Sequence, residues 1–510
     1  MDFTEVKLKK LASSAVGDIF EGITHNFYDV KDPSFSEKER SFAEALIKII
    51  QGGKGPLDVR GFEGLSKDFS DELRDEVISV VEMNNLLETL PSKKTFVLLA
   101  GSLEKLISKV RFISNKSLFA EYVLHNSIGL KQLAFFSLDE DLEELMINGL
   151  DVIFVFHKKY GMCRTNVVFD EKVLDNIIQK VAHSVGKDFS TKSPLLDARL
   201  PDGSRVNATI GDVSSQGISM TIRKFAPIPL TILDLIENNT LTSEAAAFLW
   251  MMVDGFGVTP QNIIITGSTA SGKTTFLNVL SNFSRLGERV VSIEDTLELS
   301  LLGRDNWVAF EARHFANEEV TMDDLLLNSL RMRPDRIIVG EVRGSDALTL
   351  FTAMDNGQEG CMGTIHSNDA RECVLKLQEK PLEVPTALIP LVDLIIVMRR
   401  HYSKTKGMER RVIQVAEVSR METKVLLSDI FDFDESKGKI KRTEIPSGVI
   451  EKMAQRNSLS KNELKSEIAT RQLVLEWMIS KGIRAPLEVL EVIQSYYYDS
   501  QKVLRAIKED

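Results

Sequence analysis

Cysteine is nearly absent from this chain: Cys163, Cys361 and Cys373 are the three in 510 residues, and no two stand in a C-x-x-C pair. That usage excludes a disulfide framework and a zinc ribbon, and it suits a reducing compartment. Long apolar runs are lacking too. The greasiest segment, residues 385–398 (PTALIPLVDLIIVM), is too short for a bilayer and is broken by Pro390 and Asp393, so a helix followed by a buried strand is expected. Residues 1–16 (MDFTEVKLKKLASSAV) have no sustained apolar core, and no secretory signal is expected in them. Positive charge is in deficit. The net charge of −11 repels a phosphodiester backbone on average, and aromatics at 7% are too few beside basic residues for a base-stacking platform. No repeat of 20–50 residues and no low-complexity linker is visible.

What is present is an ordinary globular balance, 43% hydrophobic and 27% charged, in a chain long enough for two to four domains. Residues 1–130 read as mainly helical, from the apolar spacing in FAEALIKII and LEKLISKVRFI, with a glycine-rich break at QGGKGPLDVRGFEG. Residues 131–225 read as a small α+β domain. The segment LEELMINGLDVIFVFHKKYGMCRTNVVF is expected to be a helix and then a hairpin turning at Lys159-Tyr160-Gly161. A helix in LDNIIQKVAHSV and strands in LLDARLP, SRVNATI and GISMTIRKF follow, with a tight turn at PDGS. Residues 226–232, beginning APIPL, read as a stiff linker. From 233 to 425 apolar strands (NIIITG, RVVSIE, RIIVGE, CMGTIHS) alternate with helices (SEAAAFLWMMVDGF, TTFLNVLSNF), the pattern of a parallel sheet covered on both faces. Residues 426–510 are expected to be mainly helical, with Gly482 stopping RQLVLEWMISKGI.

Four elements carry chemistry. The first is the run Gly267, Ser268, Thr269, Ala270, Ser271, Gly272, Lys273, Thr274 and Thr275, which fits G-x-x-x-x-G-K-[ST] between an apolar strand and a helix. Its glycines let backbone N–H groups converge on a β-phosphate at a helix N-terminus. Lys273 would reach the β- and γ-phosphates and the Thr274 hydroxyl would coordinate Mg²⁺, so ATP and Mg²⁺ are the expected ligands. The second is VVSIEDTLEL, which gathers Glu294, Asp295 and Glu298 at a strand exit, where a carboxylate can orient and deprotonate water; a solvated acidic loop is the plainer reading. The third is RMRPDRIIVGEVRG, whose strand delivers Glu341 to hold Mg²⁺ through water, with Arg343 beside it as a phosphate sensor or a helix-start cation. The fourth is GTIHSND, which puts His366 after a short strand, where a neutral imidazole can hydrogen-bond a phosphate or a carboxylate. A basic cluster, Arg399, Arg400, Lys404, Lys406, Arg410 and Arg411, reads either as a solvated hairpin or as a contact for anionic headgroups.

These four elements, in this order and spacing, resemble the secretion ATPase superfamily of type II secretion, type IV secretion and type IV pili. The resemblance runs from about residue 135 to 420. It implies an α/β fold with a RecA-like ATPase core, preceded by the smaller α+β domain and the helical segment. It also implies a cytoplasmic homohexamer, peripheral at the inner face of the cell membrane, acting on a polytopic membrane platform protein. By resemblance Glu298 is the preferred general base with Glu294 second, Glu341 assists Mg²⁺ together with Thr274 and Asp295, and His366 senses phosphate. Arg205 and Arg223 would complete the site from N-terminal-domain strands. Bacterial pilus and type II ATPases usually carry a four-cysteine zinc insertion, which this chain lacks. Its terminal regions are similar to the archaellum-motor branch of the family, which implies other archaellum motor components as partners. An archaeal adhesive-pilus or secretion ATPase is the near alternative. A RecA-like nucleic-acid translocase and a scaffold that holds ATP without turnover are alternatives of other classes, and no nucleic acid is expected as partner.

Overall fold

The computed structural model describes all residues except 1–8, 14–16, 23–24, 32–34, 53–68, 132, 151–152, 225–228, 314–318, 404–406, 423 and 510. Most of the glycine-rich break and the start of the expected linker therefore lie outside the described residues, as do Lys404 and Lys406. The chain divides into two compact units, residues 1–226 and 227–510.

The first unit is built on nine strands: β1 (Lys10–Ser13), β2 (Gly17–Phe20), β3 (Asn26–Val30), β4 (Leu142–Asn148), β5 (Ile153–His157), β6 (Gly161–Thr165), β7 (Leu195–Arg199), β8 (Arg205–Thr209) and β9 (Ser219–Arg223). They pair in the order β1-β2-β3-β6-β5-β4-β9-β8-β7. The mainly helical reading of residues 1–130 describes the segment from Glu37 on, and strands precede it. Among the described residues the first thirty hold three strands, and β3 runs parallel to β6, more than 130 residues later in sequence. The helix expected at LEELMIN is also corrected, since that segment is β4. Its buried residues Leu142, Leu145 and Ile147 break the two-residue period because the register shifts between Leu142 and Glu144, a bulge that turns both leucines inward. The hairpin and the helix Glu171–Ser184 form as expected; that helix lays Leu174, Ile177, Ile178 and Val181 on the sheet. The helices Glu37–Ile50, Lys93–Leu106 and Lys116–Ser127 keep a separate core of Phe42, Leu46, Leu99, Leu103, Phe119 and Val123. Glu37–Ile50 starts on a Ser36–Glu39 capping box, and the buried Glu39 also accepts from the Ser114 N–H at 2.9 Å, tying helix start to loop.

The second unit holds β10 (Ile263–Gly267), β11 (Val290–Glu294), β12 (Trp307–Glu311), β13 (Arg336–Val339), β14 (Met362–Ile365), β15 (Leu394–Ser403), β16 (Gly407–Met421), β17 (Lys424–Asp434) and β18 (Lys439–Arg442). Their order is β12-β11-β13-β14-β10-β15-β16-β17-β18. The six strands from β12 to β15 are parallel, and β16 to β18 continue antiparallel. Residues 426–434 and 439–442 are thus strand joined by a turn, not helix, and the C-terminal helices begin at Gly448. Residues 385–391 form only a short 3-10 turn, Ile389–Leu391, since Pro385 and Pro390 lack the amides a helix needs.

Alternate residues of each parallel strand enter opposite cores. Ile263, Ile265, Val290 and Ile338 meet the helices Ser243–Asp254, Lys273–Ser281 and Lys461–Ser480, whereas Ile264, Val291, Ile293 and Ile337 meet Met322–Ser329, Asp346–Asp355 and Ala370–Gln378. Each such side chain contributes roughly 1.5–3 kcal/mol. Helix Lys461–Ser480 ends at Gly482, φ +69°, as expected. Among the described residues no helix is long and apolar enough to cross a membrane.

Candidate nucleotide site

Parallel strands share one C-terminal edge, and there the sheet gathers the four sequence elements. β10 ends in Gly267, β11 in Glu294, β13 runs through Gly340 into Glu341, and β14 runs into His366. Below the loop, the Thr266 hydroxyl and Ser367 hydroxyl join β10 to the end of β14, at 2.5 Å, and the Ser367 N–H donates to Thr266 at 3.0 Å.

The loop's two glycines are there for different reasons. A Cβ on Gly267 would lie 2.3 Å from the Met398 carbonyl oxygen and 2.6 Å from Ser271 Oγ, so nothing larger fits. Gly272 caps the helix Lys273–Ser281 at φ +89°, a left-handed conformation that favours glycine. Ala270 takes φ +59°, and Thr274 is half-buried on the first helical turn with Thr275 exposed after it. Lys273 Nζ turns back into the loop and donates to the carbonyls of Gly267 at 3.0 Å and Ser268 at 3.3 Å. Burial, with help from Arg343, holds its pKa below the usual lysine value, and Glu341 opposes them. Ser268 and Ser271 close a turn, Ser271 N–H to Ser268 carbonyl at 3.2 Å.

The two glutamates of the acidic segment separate in role. Glu294 is buried, and its Oε2 accepts from the backbone N–H of Glu298 at 2.7 Å and of Leu299 at 3.0 Å. It braces the segment that carries Glu298, which is itself half-buried. Gly340 makes room for that brace, because a Cβ there would lie 2.9 Å from Glu294 Cγ. Sequence reasoning ranked Glu298 first but gave no sign of the brace.

Arg343 spans two of the expected metal-side carboxylates. It donates to Glu341 Oε2 at 2.6 Å and to Asp295 Oδ2 at 3.3 Å. One guanidinium therefore reaches both groups. Among the described residues no three His, Cys, Asp or Glu side chains gather to cage a metal. Mg²⁺ usually binds through one or two carboxylates plus waters and substrate phosphates, and Glu341, Asp295 and the Thr274 hydroxyl fit that donor set.

His366 is exposed at the end of β14. Partial desolvation and the cations Lys273 and Lys376 keep its pKa below the usual imidazole value, against Glu341 and Glu372. His366, Lys273 and Glu341 thus lie within one another's field. Lys376 also donates to the His366 carbonyl at 2.8 Å.

In the first unit Arg205 and Arg223 stand directly opposite each other on β8 and β9. Arg199 on β7 faces Arg205, and Glu144 on β4 faces Arg223, so one row crosses four strands.

A residue missed as part of the site is Arg410. In sequence it is one cation in a cluster; in the structure its Nε donates to the Ala270 carbonyl at 3.2 Å. Strand alternation within the hairpin was the signal that distinguishes it from Arg411.

A family model for type II/IV secretion system proteins matches residues 133–468. The uncharacterized protein MJ0781 of Methanocaldococcus jannaschii is 52% identical over 229 residues, 44% of this chain; the chain spans 32% of that relative's length. The uncharacterized protein MJ0900 of the same organism is 30% identical over 438 residues, covering 82% of this chain and 78% of that one. A probable conjugal transfer protein TrbB of Sinorhizobium fredii is 32% identical over 291 residues, 55% of this chain and 85% of that one. With the match extending through the α+β unit and the parallel sheet, the chain belongs to the type II/IV secretion system protein family.

Proposed function

We propose that this protein is a Mg²⁺-dependent ATP hydrolase that drives a secretion- or pilus-type machine from the cytoplasmic face of the membrane. The observation that carries the reading is the shared strand edge, where β10 ends at the phosphate loop bearing Lys273 and the strands β13 and β14 beside it run into Glu341 and His366. Lys273 exchanges the carbonyls of Gly267 and Ser268 for the β- and γ-phosphates, which the N-terminus of helix Lys273–Ser281 also attracts. Glu294 holds the segment in place, and Glu298 orients and deprotonates the attacking water. Bound Mg²⁺, held by Thr274, Glu341 and Asp295, would neutralise developing phosphoryl charge. His366, kept neutral near pH 7, donates to the terminal phosphate. Arg205 and Arg223 supply cationic groups to the transition state across an interface of a homohexamer, which couples hydrolysis to domain motion.

The finer reading is the archaellum motor, working through a polytopic membrane platform protein; its support is the sequence likeness of the terminal regions. Pilus assembly uses the same catalytic residues and is the nearest competitor. The test is ATP hydrolysis by the purified chain with Mg²⁺ or with a chelator, and with platform protein in anionic vesicles or with DNA. We expect Mg²⁺-dependent turnover that is abolished in Lys273→Ala, raised by the platform and indifferent to DNA. Turnover that survives Lys273→Ala would sink the assignment, and stimulation by DNA alone would favour a translocase.

A further inference from the structure

Strand alternation in the basic hairpin of β15 and β16 sends neighbouring arginines to opposite faces. Arg411 points to one face, where it donates to Glu409 Oε2 at 2.8 Å and to the Gly438 carbonyl at 2.9 Å and lies over the Phe433 ring at 5.6 Å. Its neighbour Arg410 points to the other face. There it is half-buried against the phosphate loop, with Nε donating to the Ala270 carbonyl. Its stem is close as well: a Cβ built on Gly272 would lie 3.1 Å from Arg410 Cδ and 3.7 Å from Met398 Cε. Met398 in turn presses its carbonyl on Gly267. The hairpin therefore touches the loop at Gly267, Ala270 and Gly272, three positions whose backbone departs from ordinary strand or helix.

The sheet order says which end of a nucleotide this wall serves. Glu298, Glu341 and His366 follow β11, β13 and β14, which lie on one side of β10; β15 and β16 lie on the other. A triphosphate with its terminal phosphate toward those groups leaves its nucleoside end on the hairpin side.

We propose that Arg410 is a positioning residue of the nucleotide site, holding the phosphate loop in its cradling conformation through the Ala270 carbonyl, so that the β15–β16 hairpin sets nucleotide affinity and leaves the chemical step alone. This rests on the phosphate-loop reading given above. Ala270 at φ +59° is strained for a non-glycine residue, and a hydrogen bond to its carbonyl offsets part of that strain. Without the bond the loop samples other shapes, and binding bears the cost of re-forming the cradle.

The test uses the full chain with a fluorescent ADP analogue and with ATP. Arg410→Met keeps the stem over Gly272 and removes the donor; Arg410→Lys restores a donor and the charge. We expect Arg410→Met to weaken ADP binding and raise the KM for ATP by roughly five- to tenfold, with kcat within twofold of wild type. Arg410→Lys should recover most of the affinity. The unfolding midpoint without nucleotide should stay put while the rise produced by ADP shrinks. Unchanged ADP affinity in Arg410→Met, a fall in kcat at unchanged affinity, or no recovery in Arg410→Lys would each overturn the proposal. Lys273→Ala, measured alongside, separates the two claims: if it binds ADP like wild type, the phosphate-loop reading itself fails, whatever Arg410 does.

Discussion

Exchange of Glu294 and Glu298 for glutamine distinguishes a brace from a base. Glu294 is buried and receives two backbone N–H groups at 2.7 and 3.0 Å. Hydrogen bonds to a charged acceptor are worth about 1.5–3 kcal/mol each and to a neutral one about 0.5–1.5, so Glu294→Gln loses roughly 2–3 kcal/mol in all. In a unit of this size that lowers the unfolding midpoint by roughly 4–10 °C. Turnover falls with it by about tenfold, because the segment bearing Glu298 loosens. Glu298 contributes its backbone to that brace and is half-buried itself, so Glu298→Gln should leave the midpoint within a degree or two. Its turnover should fall by about 10²–10⁴, the usual contribution of a positioned general base, with ATP affinity kept. Differential scanning calorimetry and steady-state ATPase assays on both variants decide the matter. The reverse pattern, with Glu294→Gln silent in calorimetry but dead in turnover and Glu298→Gln active, would refute the division.

Three further outcomes follow from packing and charge. Gly340→Ala drives a methyl group to 2.9 Å from Glu294 Cγ and should cost about 1–3 kcal/mol in denaturant unfolding, with turnover lowered in parallel; wild-type behaviour would mean that the brace moves freely. Arg471, fully buried, holds Asp254 at 2.9 Å and Glu467 at 2.8 Å and lies 5.1 Å over the Trp250 ring. Arg471→Met takes one of two guanidinium partners from the buried Asp254 carboxylate, leaving Arg285 at 2.8 Å, and should destabilise the second unit by about 1–3 kcal/mol, read from the tryptophan fluorescence midpoint. Burial lowers the His125 pKa from 6.5 to about 4, so on acidification the unfolded chain takes up the proton first. Stability of the first unit should hold above pH 6.5 and decline by roughly 3 kcal/mol down to pH 4. Hydrogen exchange in helix Lys116–Ser127 should follow that slope, and His125→Gln should flatten it.

The site was more legible than the fold around it. Strands β10, β11, β13 and β14 are buried on both faces and so read as continuous apolar runs, and the loop's glycine spacing is dictated by the close approach of Met398 and the left-handed turn at Gly272. Motif and context agreed because the same backbone constraints produce both. The helical reading of β4 failed for a local reason: a bulge gave Leu142 and Leu145 the three-residue spacing of a helix. Strands β1 to β3 escaped because they are short and β3 finds its partner β6 only in the folded unit. Residues such as Glu294, Gly340 and Arg410 declare their roles through a neighbour from another strand, and pairing of that kind leaves no periodic trace.

The most direct test of the central claim is the ATPase rate per chain measured against protein concentration, with Lys273→Ala as the blank. An ATPase whose site is completed between copies of the chain should show a cooperative rise in rate per chain, and Arg205→Ala or Arg223→Ala should abolish it. A rate per chain that stays flat down to dilute monomer would contradict the ring mechanism.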